Sequence, residues 1–378
     1  MGRPGARLTD AVPGPPPAVA RTRLAVRHGL SSIAGEADPA GRGLTVLVAV
    51  SGGPDSLALA AATAFEAPRA GVRAGAVVVD HGLQPASDAV ARAAADQCRA
   101  LRLDPVEVVR ADVTDGSGDG PEMAARTARH AALEEARVRL GADRVLLGHT
   151  RDDQAEQVLL GLLRGSGARS LAGMPASSPT LLRPFLDVTR AETESACAAA
   201  GLTPWRDPHN GDERFTRVRA RAVLAQLSEA LGPQLGANLA RTARLLRDDD
   251  DALTAWADRE LAAARPAATG HVPDGDAALE IDGLVRLPRA VRTRALRRWL
   301  LDAGADGAAL GSRHLAEVDR LVADWRGQGP VDVPALSVRR IGPTLAAHPH
   351  GRVEWARPQP RPADAAHGAA GADAADQE

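Results

Sequence analysis

Residues 44 to 66 read LTVLVAVSGGPDSLALAAATAFE, and this stretch decides the fold of the chain. Leu44 to Val50 form a continuous apolar run, which is typical of a parallel strand buried on both faces. Ser51-Gly52-Gly53 then makes a turn of small residues, and Pro54 suits the first turn of a helix that continues through Leu57 to Ala64. The stretch therefore predicts a strand, a small-residue loop and a helix N-terminus, whose free backbone N–H groups and dipole favour a phosphate.

The loop, Ser51-Gly52-Gly53-Pro54-Asp55-Ser56, does not fit two common nucleotide-binding motifs. No Gly-Lys-Ser/Thr follows it, as a Walker-type P-loop requires, and the whole chain contains no lysine. Its spacing is not GxGxxG either. A Ser-Gly-Gly-x-Asp-Ser loop after a hydrophobic strand resembles the pyrophosphatase loop (PP-loop) of the N-type ATP pyrophosphatases. That resemblance implies cleavage of ATP to AMP and pyrophosphate while a substrate is adenylated.

Length and composition limit the classes of protein that fit. The 378 residues are enough for two domains, or for one large domain with an appended smaller one. Aromatic residues make up 2% of the chain and tyrosine is absent, which disfavours a nucleic-acid surface built on stacked rings. All 46 basic residues are arginines, so any contact with RNA is expected to be arginine to phosphate.

Cysteine usage and the N-terminus indicate the compartment. Cys98 and Cys197 form neither a CxxC motif nor a disulfide framework, so we expect both to be buried structural residues. The N-terminal sequence carries prolines and charges where a signal peptide needs an apolar core, and no run is long enough to span a bilayer. We therefore expect a cytoplasmic protein with no membrane partner. The oligomeric state is not decided by the sequence, and a homodimer stays open.

Strands that alternate with helices predict an α/β fold: a mostly parallel, Rossmann-like sheet with helices on both faces, followed by an appended mainly helical C-terminal domain. We expect a disordered N-terminal tail at residues 1–20, a catalytic domain at 21–210, the helical domain at 211–351 and a disordered tail at 352–378. Within the helical domain, residues 331–338 are predicted to form a strand that pairs with residues 339–346.

Chemically active residues directly follow three of the predicted strands. The loop follows the first strand, Val79-Asp80-His81 ends the second, and Gly148-His149 follows the fourth. Because ligands bind beyond the carboxyl ends of parallel strands, these three segments should line one crevice.

Carboxylates cluster at the start of the helix that follows His149. Asp152 and Glu156 lie one helical turn apart, with Asp153 beside them. Acids at this position often do no more than complement the helix dipole. In the same crevice as a phosphate loop, however, they are better interpreted as holding Mg²⁺ or an amine substrate.

Several segments, taken in order, resemble the tRNA(Ile)-lysidine synthase family. They are Val79 to Gly82, Ala125 to Arg129, HxxDDQAE from His149 to Glu156, Leu162 to Gly167, Leu171 to Pro175, Arg183-Pro184 and Asp207 to Asn210, within roughly Thr45 to Arg221. The resemblance implies ATP-dependent ligation of free L-lysine to carbon 2 of the wobble cytidine, position 34, of tRNA(Ile) with a CAU anticodon. The cytidine is first adenylated with release of pyrophosphate, and lysine then displaces AMP. The product changes codon specificity from AUG to AUA and tRNA identity from Met to Ile.

The resemblance also implies a role for each matched residue. ATP would contact Ser51, Gly52, Gly53, Pro54, Asp55, Ser56, Val79, Asp80, His81 and Gly148, while Mg²⁺ would be held by Asp55 and Asp153. The catalytic group would comprise Asp55, Arg126, His149, Asp152, Asp153 and Glu156, with the last three holding and deprotonating the lysine ammonium. The tRNA would contact Arg129, Arg164, Arg217, Arg221, Arg241 and Arg244, so the domain at 211–351 is expected to bind tRNA.

The sequence departs from the family pattern at Thr150, where a second histidine is common, and at Gln157, where a threonine is common. From its length we also expect the chain to lack the second C-terminal domain of longer members. Three other readings stay open. A tRNA thiolase shares the loop but needs paired cysteines or an iron–sulfur cluster. A synthetase of the GMP or NAD type shares it without the Leu-Ala-Gly-Met-Pro segment, and a sensor that only holds ATP would not need the acids.

Overall fold

The structure is a computed structural model that describes residues 14–35, 43–80, 82, 87–111, 121–165, 167–206, 211–212, 214–265 and 277–350. The predicted tail at 352–378, the first 13 residues, the expected ATP contact His81 and the matched segment 207–210 lie outside these residues. Among the described helices, none combines the length and apolar character needed to cross a membrane.

The chain forms two compact units, Met1–Asp250 and Asp251–Glu378. The first unit contains helices α1 (Pro17–Ile33), α2 (Pro54–Glu66), α3 (Ser87–Ala100), α4 (Pro121–Arg139), α5 (Arg151–Leu163), α6 (Ala168–Leu171), α7 (Arg190–Ala199) and α8 (Thr216–Leu231). Its strands are β1 (Thr45–Val50), β2 (Arg73–Asp80), β3 (Val106–Arg110), β4 (Arg144–Leu146) and β5 (Leu181–Leu182). Helix α9 (Leu235–Ala264) runs through the boundary. The second unit adds β6 (Ala277–Glu280), α10 (Asp282–Val285), α11 (Arg289–Asp302), α12 (Ser312–Ala323), β7 (Val331–Val333), β8 (Leu336–Ile341) and β9 (Thr344–Pro349).

The sheet of the first unit has the order β3-β2-β1-β4-β5, and every neighbouring pair is parallel. Strand β1 lies at its centre, and successive residues of β1 pack to opposite sides. Val46 and Val48 belong to one buried cluster with Leu57 of α2, whereas Leu47 packs with Leu133 of α4. Helices therefore cover both faces, which explains the continuous apolar run of β1 and confirms the predicted fold.

The first unit begins earlier and ends later than the predicted domain. Helix α1 starts at Pro17, so the expected tail at residues 1–20 is too long; Pro17 fits the first helical turn, where no N–H is needed. The unit ends at Asp250, not at residue 210. Helix α8 packs against α5, and Arg221 of α8 donates to Glu156 of α5 at 2.9 Å. Arg247 of α9 donates to the carbonyl of Ala172 at 3.1 Å, so long-range contacts set this boundary.

The second unit packs its helices with a four-stranded antiparallel sheet of order β6-β9-β8-β7. The predicted strand at 331–338 is wrong in one respect, because it is two strands joined by a tight turn. Ala335 in that turn has a φ of 72°, a conformation that ends β7 and allows β8 to pair back on it. Strand β6 was not predicted, and its Leu279 is fully buried in the core of the unit.

Candidate active site

The loop after β1 presents backbone N–H groups at the start of α2. Gly52 has a φ of +80°, which a residue with a Cβ rarely adopts. The Ser56 hydroxyl accepts from the Ser51 N–H at 3.1 Å and donates to the Gly53 carbonyl at 2.9 Å, which holds the loop closed. Gly53 is the N-cap of α2, and no side chain caps this end of the helix. The first turn therefore keeps N–H groups for an anionic ligand.

Gly148, which follows β4, packs directly against this loop. A Cβ at Gly148 would lie 3.1 Å from both the carbonyl carbon and the carbonyl oxygen of Asp55, and 3.2 Å from the backbone nitrogen of Ser56. These neighbours are backbone atoms of the first turn of α2, which cannot rotate away as a side chain can. The close approach fixes the position of the loop relative to β4.

We expect Gly148→Ala to shift the loop and lower kcat/KM for ATP by about 10- to 100-fold, because small displacements of positioned groups have effects of this size. The measurement is steady-state kinetics with ATP as the varied substrate, together with a thermal melt to establish folding. Gly236→Ala is the matched control, since a Cβ there meets nothing within 4 Å. Equal values of kcat/KM for the two variants would show that the contact of Gly148 with the loop does not affect the use of ATP.

A cleft of about 830 Å³ opens beside the loop. Of the residues predicted to act, it is lined by Ser51, Gly53, Pro54, Asp55, Ser56, Val79, Arg129, Gly148, His149, Asp153, Arg217 and Arg221. The ends of β1, β2 and β4 therefore meet at one cleft, as the parallel topology predicts.

Other predicted residues lie elsewhere. Glu156 is buried behind the cleft, with 4% of its surface exposed, and Asp152 accepts from the backbone N–H of Arg190 at 2.8 Å. Asp80 accepts from the Gly82 N–H at 2.9 Å. Arg164 is exposed at the end of α5. Among the described residues, the lining of the cleft does not include Arg126, Asp80, Asp152, Glu156 or Arg164. Arg241 and Arg244 line a separate pocket of about 300 Å³.

The acids at the start of α5 have fixed positions. Thr150 is the N-cap, and one oxygen of Asp153 accepts from the Thr150 N–H at 2.7 Å and from its hydroxyl at 2.9 Å. This capping box gives Thr150 a structural role at the position where it departs from the family pattern. The other oxygen of Asp153 accepts from the Arg190 guanidinium at 2.8 Å.

Asp55 lies between the loop and these acids. Its carboxylate accepts a hydrogen bond from the Thr193 hydroxyl and lies 3.7 Å from the Arg190 guanidinium. Burial raises the pKa of Asp55 to about 6, although Thr193 and Arg190 both act in the opposite direction. The carboxyl therefore costs free energy when ionised unless a further cation approaches.

Basic residues also line the cleft or lie near it. Burial lowers the pKa of Arg129, and the nearby Arg217 lowers it further. Burial also lowers the pKa of Arg183 to about 10, with contributions from Arg126 and Arg247. Mutual repulsion between neighbouring guanidinium groups is relieved by an anion, so the arginine wall formed by Arg129, Arg217 and Arg221 favours a polyphosphate or an RNA backbone.

His149 also lines the cleft. Burial lowers its pKa to about 3, and its buried Nδ1 has no hydrogen-bond partner among the described residues. The imidazole is therefore neutral near pH 7, which favours hydrogen bonding to a ligand over proton transfer. Its predicted catalytic role stays a prediction.

The sequence reasoning missed several residues of the cleft. Arg190 and Glu194 come from α7 and were not assigned to the site, although Thr189 and Glu192 form a capping-box pattern that marks the start of this helix. Trp205 donates its backbone N–H to the Gly52 carbonyl at 2.9 Å and lines the cleft together with His130. No local pattern marks Trp205 as a partner of the loop.

The fold and the loop define a PP-loop nucleotide-binding protein, and comparison with known proteins agrees. A family model described as the PP-loop domain matches residues 31–227, and one described as the TilS substrate binding domain matches residues 279–342. A tRNA(Ile)-lysidine synthase of Thermobifida fusca is 54% identical over 322 residues, which cover 85% of this chain and 94% of the relative. One of Salinispora tropica is 51% identical over 344 residues, covering 89% and 98%. The chain belongs to the tRNA(Ile)-lysidine synthase family, and the predicted enzyme class, an ATP-using ligase, is confirmed.

A solved structure shares the fold at lower similarity. The U34-tRNA thiolase NcsA of Methanococcus maripaludis superposes with a TM-score of 0.50 and 18% identity, over 61% of this chain and 80% of the thiolase. Cys98 and Cys197 of this chain are free and buried, and burial raises the pKa of each thiol to about 11. Thiols of this kind are poor nucleophiles, which disfavours the thiolase alternative.

Proposed function

We propose that this protein ligates free L-lysine to carbon 2 of the wobble cytidine of tRNA(Ile) with a CAU anticodon, through an adenylated cytidine. The observation that carries the proposal is a single cleft in which a PP-loop, an acidic cluster and an arginine wall meet. AMP and pyrophosphate are the by-products. The modified tRNA reads AUA instead of AUG and is charged with isoleucine instead of methionine.

The loop side of the cleft suits ATP. The first-turn N–H groups of α2, together with Ser51 and Ser56, would hold the departing pyrophosphate, and the helix dipole stabilises its charge. Val79, Asp80 and Gly148 would border the adenosine, while the neutral His149 offers a hydrogen bond to a nucleotide. The role proposed for His81 rests on the family resemblance alone.

The acidic side suits the amine. Asp152, Asp153 and Glu156, with Asp55 beside them, would hold the ε-ammonium of lysine, which must lose its proton to one of these carboxylates before it can attack. The amine nitrogen then bonds to carbon 2 of the cytidine, while the bond from that carbon to the adenylated oxygen breaks. AMP leaves with this oxygen.

Mg²⁺ fits the site as a companion of ATP. The described residues contain no group of three or more His, Cys, Asp or Glu side chains arranged to hold a metal ion. Mg²⁺ commonly binds through one or two carboxylates plus substrate phosphates, and Asp55 and Asp153 are oxygen ligands of that kind. When bound, the ion would neutralise charge on the phosphates of ATP.

Two groups of arginines suit the tRNA backbone. Arg129, Arg217 and Arg221 line the cleft itself. Arg241 and Arg244 share their pocket with Arg21 of α1 and Arg151 of α5, and Asp187 is the one acidic residue among the described residues that line it. Four arginines at one shallow pocket match the repeating phosphates of RNA. Arg126 would add positive charge near the cleft, Arg164 would contact tRNA from the end of α5, and the second unit would supply further tRNA contacts.

We expect the double variant Arg241→Ala/Arg244→Ala to bind tRNA more weakly and with a smaller salt dependence. Each lost phosphate contact should reduce the slope of log Kd against log salt concentration by about one. The measurement is tRNA binding between low and physiological salt. Arg92→Ala, on the exposed face of α3, is the control. A double variant with the slope of the wild-type protein would exclude this pocket from the tRNA surface.

Release of pyrophosphate tests the proposed reaction at its first step. The wild-type protein with ATP and Mg²⁺ should release pyrophosphate only when tRNA(Ile) with a CAU anticodon is added, and lysine should not be required. The initiator tRNA with the same anticodon is the specificity control. Release of pyrophosphate without any tRNA, or none with the cognate tRNA, would contradict the proposal.

A further inference from the structure

A guanidinium group occupies the centre of the acidic cluster. Arg190, the first residue of α7, donates to Asp153 at 2.8 Å and to Glu156 at 3.4 Å, and its Nε lies 3.7 Å from Asp55. Its backbone N–H donates to Asp152 at 2.8 Å. One residue thus contacts Asp55, Asp152, Asp153 and Glu156, the four carboxylates proposed for the amine site.

The balance of charge in the acidic cluster depends on the contacts of Arg190. Three carboxylates, those of Asp55, Asp153 and Glu156, contact the guanidinium of Arg190, and Glu156 also contacts the guanidinium of Arg221. Burial alone would lower the pKa of Arg190, but Asp153, Glu156, Asp55 and Asp152 together raise it. A guanidinium stays protonated at physiological pH, so Arg190 can neutralise the acids but cannot act as a nucleophile.

We propose that the guanidinium of Arg190 occupies the amine subsite and binds its carboxylates until the ε-ammonium of free lysine displaces it. This inference rests on the proposed function. It follows from occupancy, because the carboxylates proposed to bind the lysine ammonium are those that Arg190 contacts. On Asp153, Thr150 takes one oxygen and Arg190 takes the other, so an ammonium group there competes with the guanidinium. Arg190 lines the cleft, and 21% of its side chain is exposed.

The two steps of the reaction place opposite demands on the acids. In the first step, ATP brings several negative charges to the cleft, and uncompensated carboxylates nearby would repel it. In the second step, a carboxylate must be free to take the proton of the lysine ammonium. A tethered cation that leaves when lysine enters satisfies both demands. Its cost is a weaker apparent affinity for lysine, because the competent state is only partly populated.

Two kinetic parameters should therefore both fall in Arg190→Gln. With the internal competitor removed, the KM for lysine should fall about tenfold or more. The rate of tRNA-dependent pyrophosphate release should also fall, because the carboxylates then repel ATP. Arg92→Gln, which removes an exposed arginine on α3, is the control for loss of one positive charge. A KM for lysine that is unchanged or raised in folded Arg190→Gln would overturn the proposal.

Arg190→Lys tests displacement without removing the cation. Because the chain has no other lysine, this variant carries a single lysine side chain. Protein labelled with ¹³C at the ε-carbon of lysine should give one signal that shifts saturably as unlabelled free lysine is added. 6-Hydroxynorleucine, which has a hydroxyl in place of the ε-ammonium of lysine, should not shift the signal. If the signal does not shift at lysine concentrations that saturate the wild-type enzyme, the proposal is overturned.

Lysidine formation by the wild-type protein distinguishes a failure of this inference from a failure of the proposed function on which it rests. If the wild-type protein forms no lysidine, the proposed function fails. If it forms lysidine but neither Arg190 variant behaves as described, only the role of Arg190 fails.

Discussion

Asp55→Asn should reduce lysidine formation by about 10²- to 10³-fold, the usual effect of removing one preorganised electrostatic group from an active site. Asparagine keeps the size of the side chain and an oxygen that can accept from Thr193. It removes the negative charge proposed to contact Mg²⁺ or the lysine ammonium. The measurement is the rate of lysidine formation under single-turnover conditions.

The same substitution should stabilise the protein in the absence of ligands at high pH. Burial raises the pKa of Asp55 from its ordinary 3.8 to about 6, so the folded protein binds this proton more tightly than the unfolded chain does. Stability is therefore lost as the pH rises from about 4 to about 6, and the loss is complete above that range. A difference of about two pKa units corresponds to roughly 3 kcal/mol as an upper limit. Asp55→Asn should recover about 1 to 3 kcal/mol at pH 8 and nothing near pH 4.

Activity and stability should thus move in opposite directions at Asp55, as expected where a site is preorganised at the expense of the fold. Denaturant titrations at pH 4 and pH 8 measure the stability change. Asp96→Asn, on an exposed carboxylate paired with Arg99, is the control and should change neither property. An Asp55→Asn protein that is less stable than wild type at pH 8 would refute the free-energy cost assigned to ionisation of this buried carboxyl.

The second large effect concerns a buried ion pair in the second unit. Arg292 of α11 donates to Asp319 of α12 at 2.6 and 3.2 Å, and each side chain is 9% exposed. Arg292 also donates to the Leu287 carbonyl at 2.8 Å. Asp319→Ala leaves this guanidinium buried without its carboxylate, so we expect a loss of about 3 to 5 kcal/mol in the unfolding free energy of the unit.

Helix α12 supplies its own control for that measurement. Glu317→Ala breaks an i,i+4 pair with Arg313, whose side chain is 88% exposed, and should cost no more than about 0.5 kcal/mol. If the second unit binds tRNA as proposed, Asp319→Ala should also lose tRNA-dependent pyrophosphate release at 37 °C while the first unit still binds ATP. A stability loss below about 1 kcal/mol for Asp319→Ala would refute the cost assigned to the unpaired guanidinium.

Much of the first unit could be predicted because its signals are local. The apolar run of β1, the glycines of the loop and Pro54 specify a strand, a turn and a helix within one short segment. The meeting of Val79, Gly148 and the loop at one cleft then follows from the parallel order of β1, β2 and β4.

The missing parts of the site depend on contacts between residues distant in sequence. Thr193 bonds to Asp55 from 138 positions away, and Arg190 reaches Asp153 across 37. No periodicity in the sequence encodes such a pairing. The domain boundary was misplaced for the same reason, since Arg221 and Arg247 tie α8 and α9 to the first unit only after the chain has folded.

The central claim is tested most directly by mass spectrometry of nucleosides. Unmodified tRNA(Ile) with a CAU anticodon is incubated with the protein, ATP, Mg²⁺ and L-lysine, then digested and analysed. The proposed reaction predicts one cytidine whose mass has increased by that of lysine less one water, and predicts no such product when lysine or ATP is left out. A cytidine of unchanged mass, under conditions in which the protein is folded and binds ATP, would contradict the proposed function.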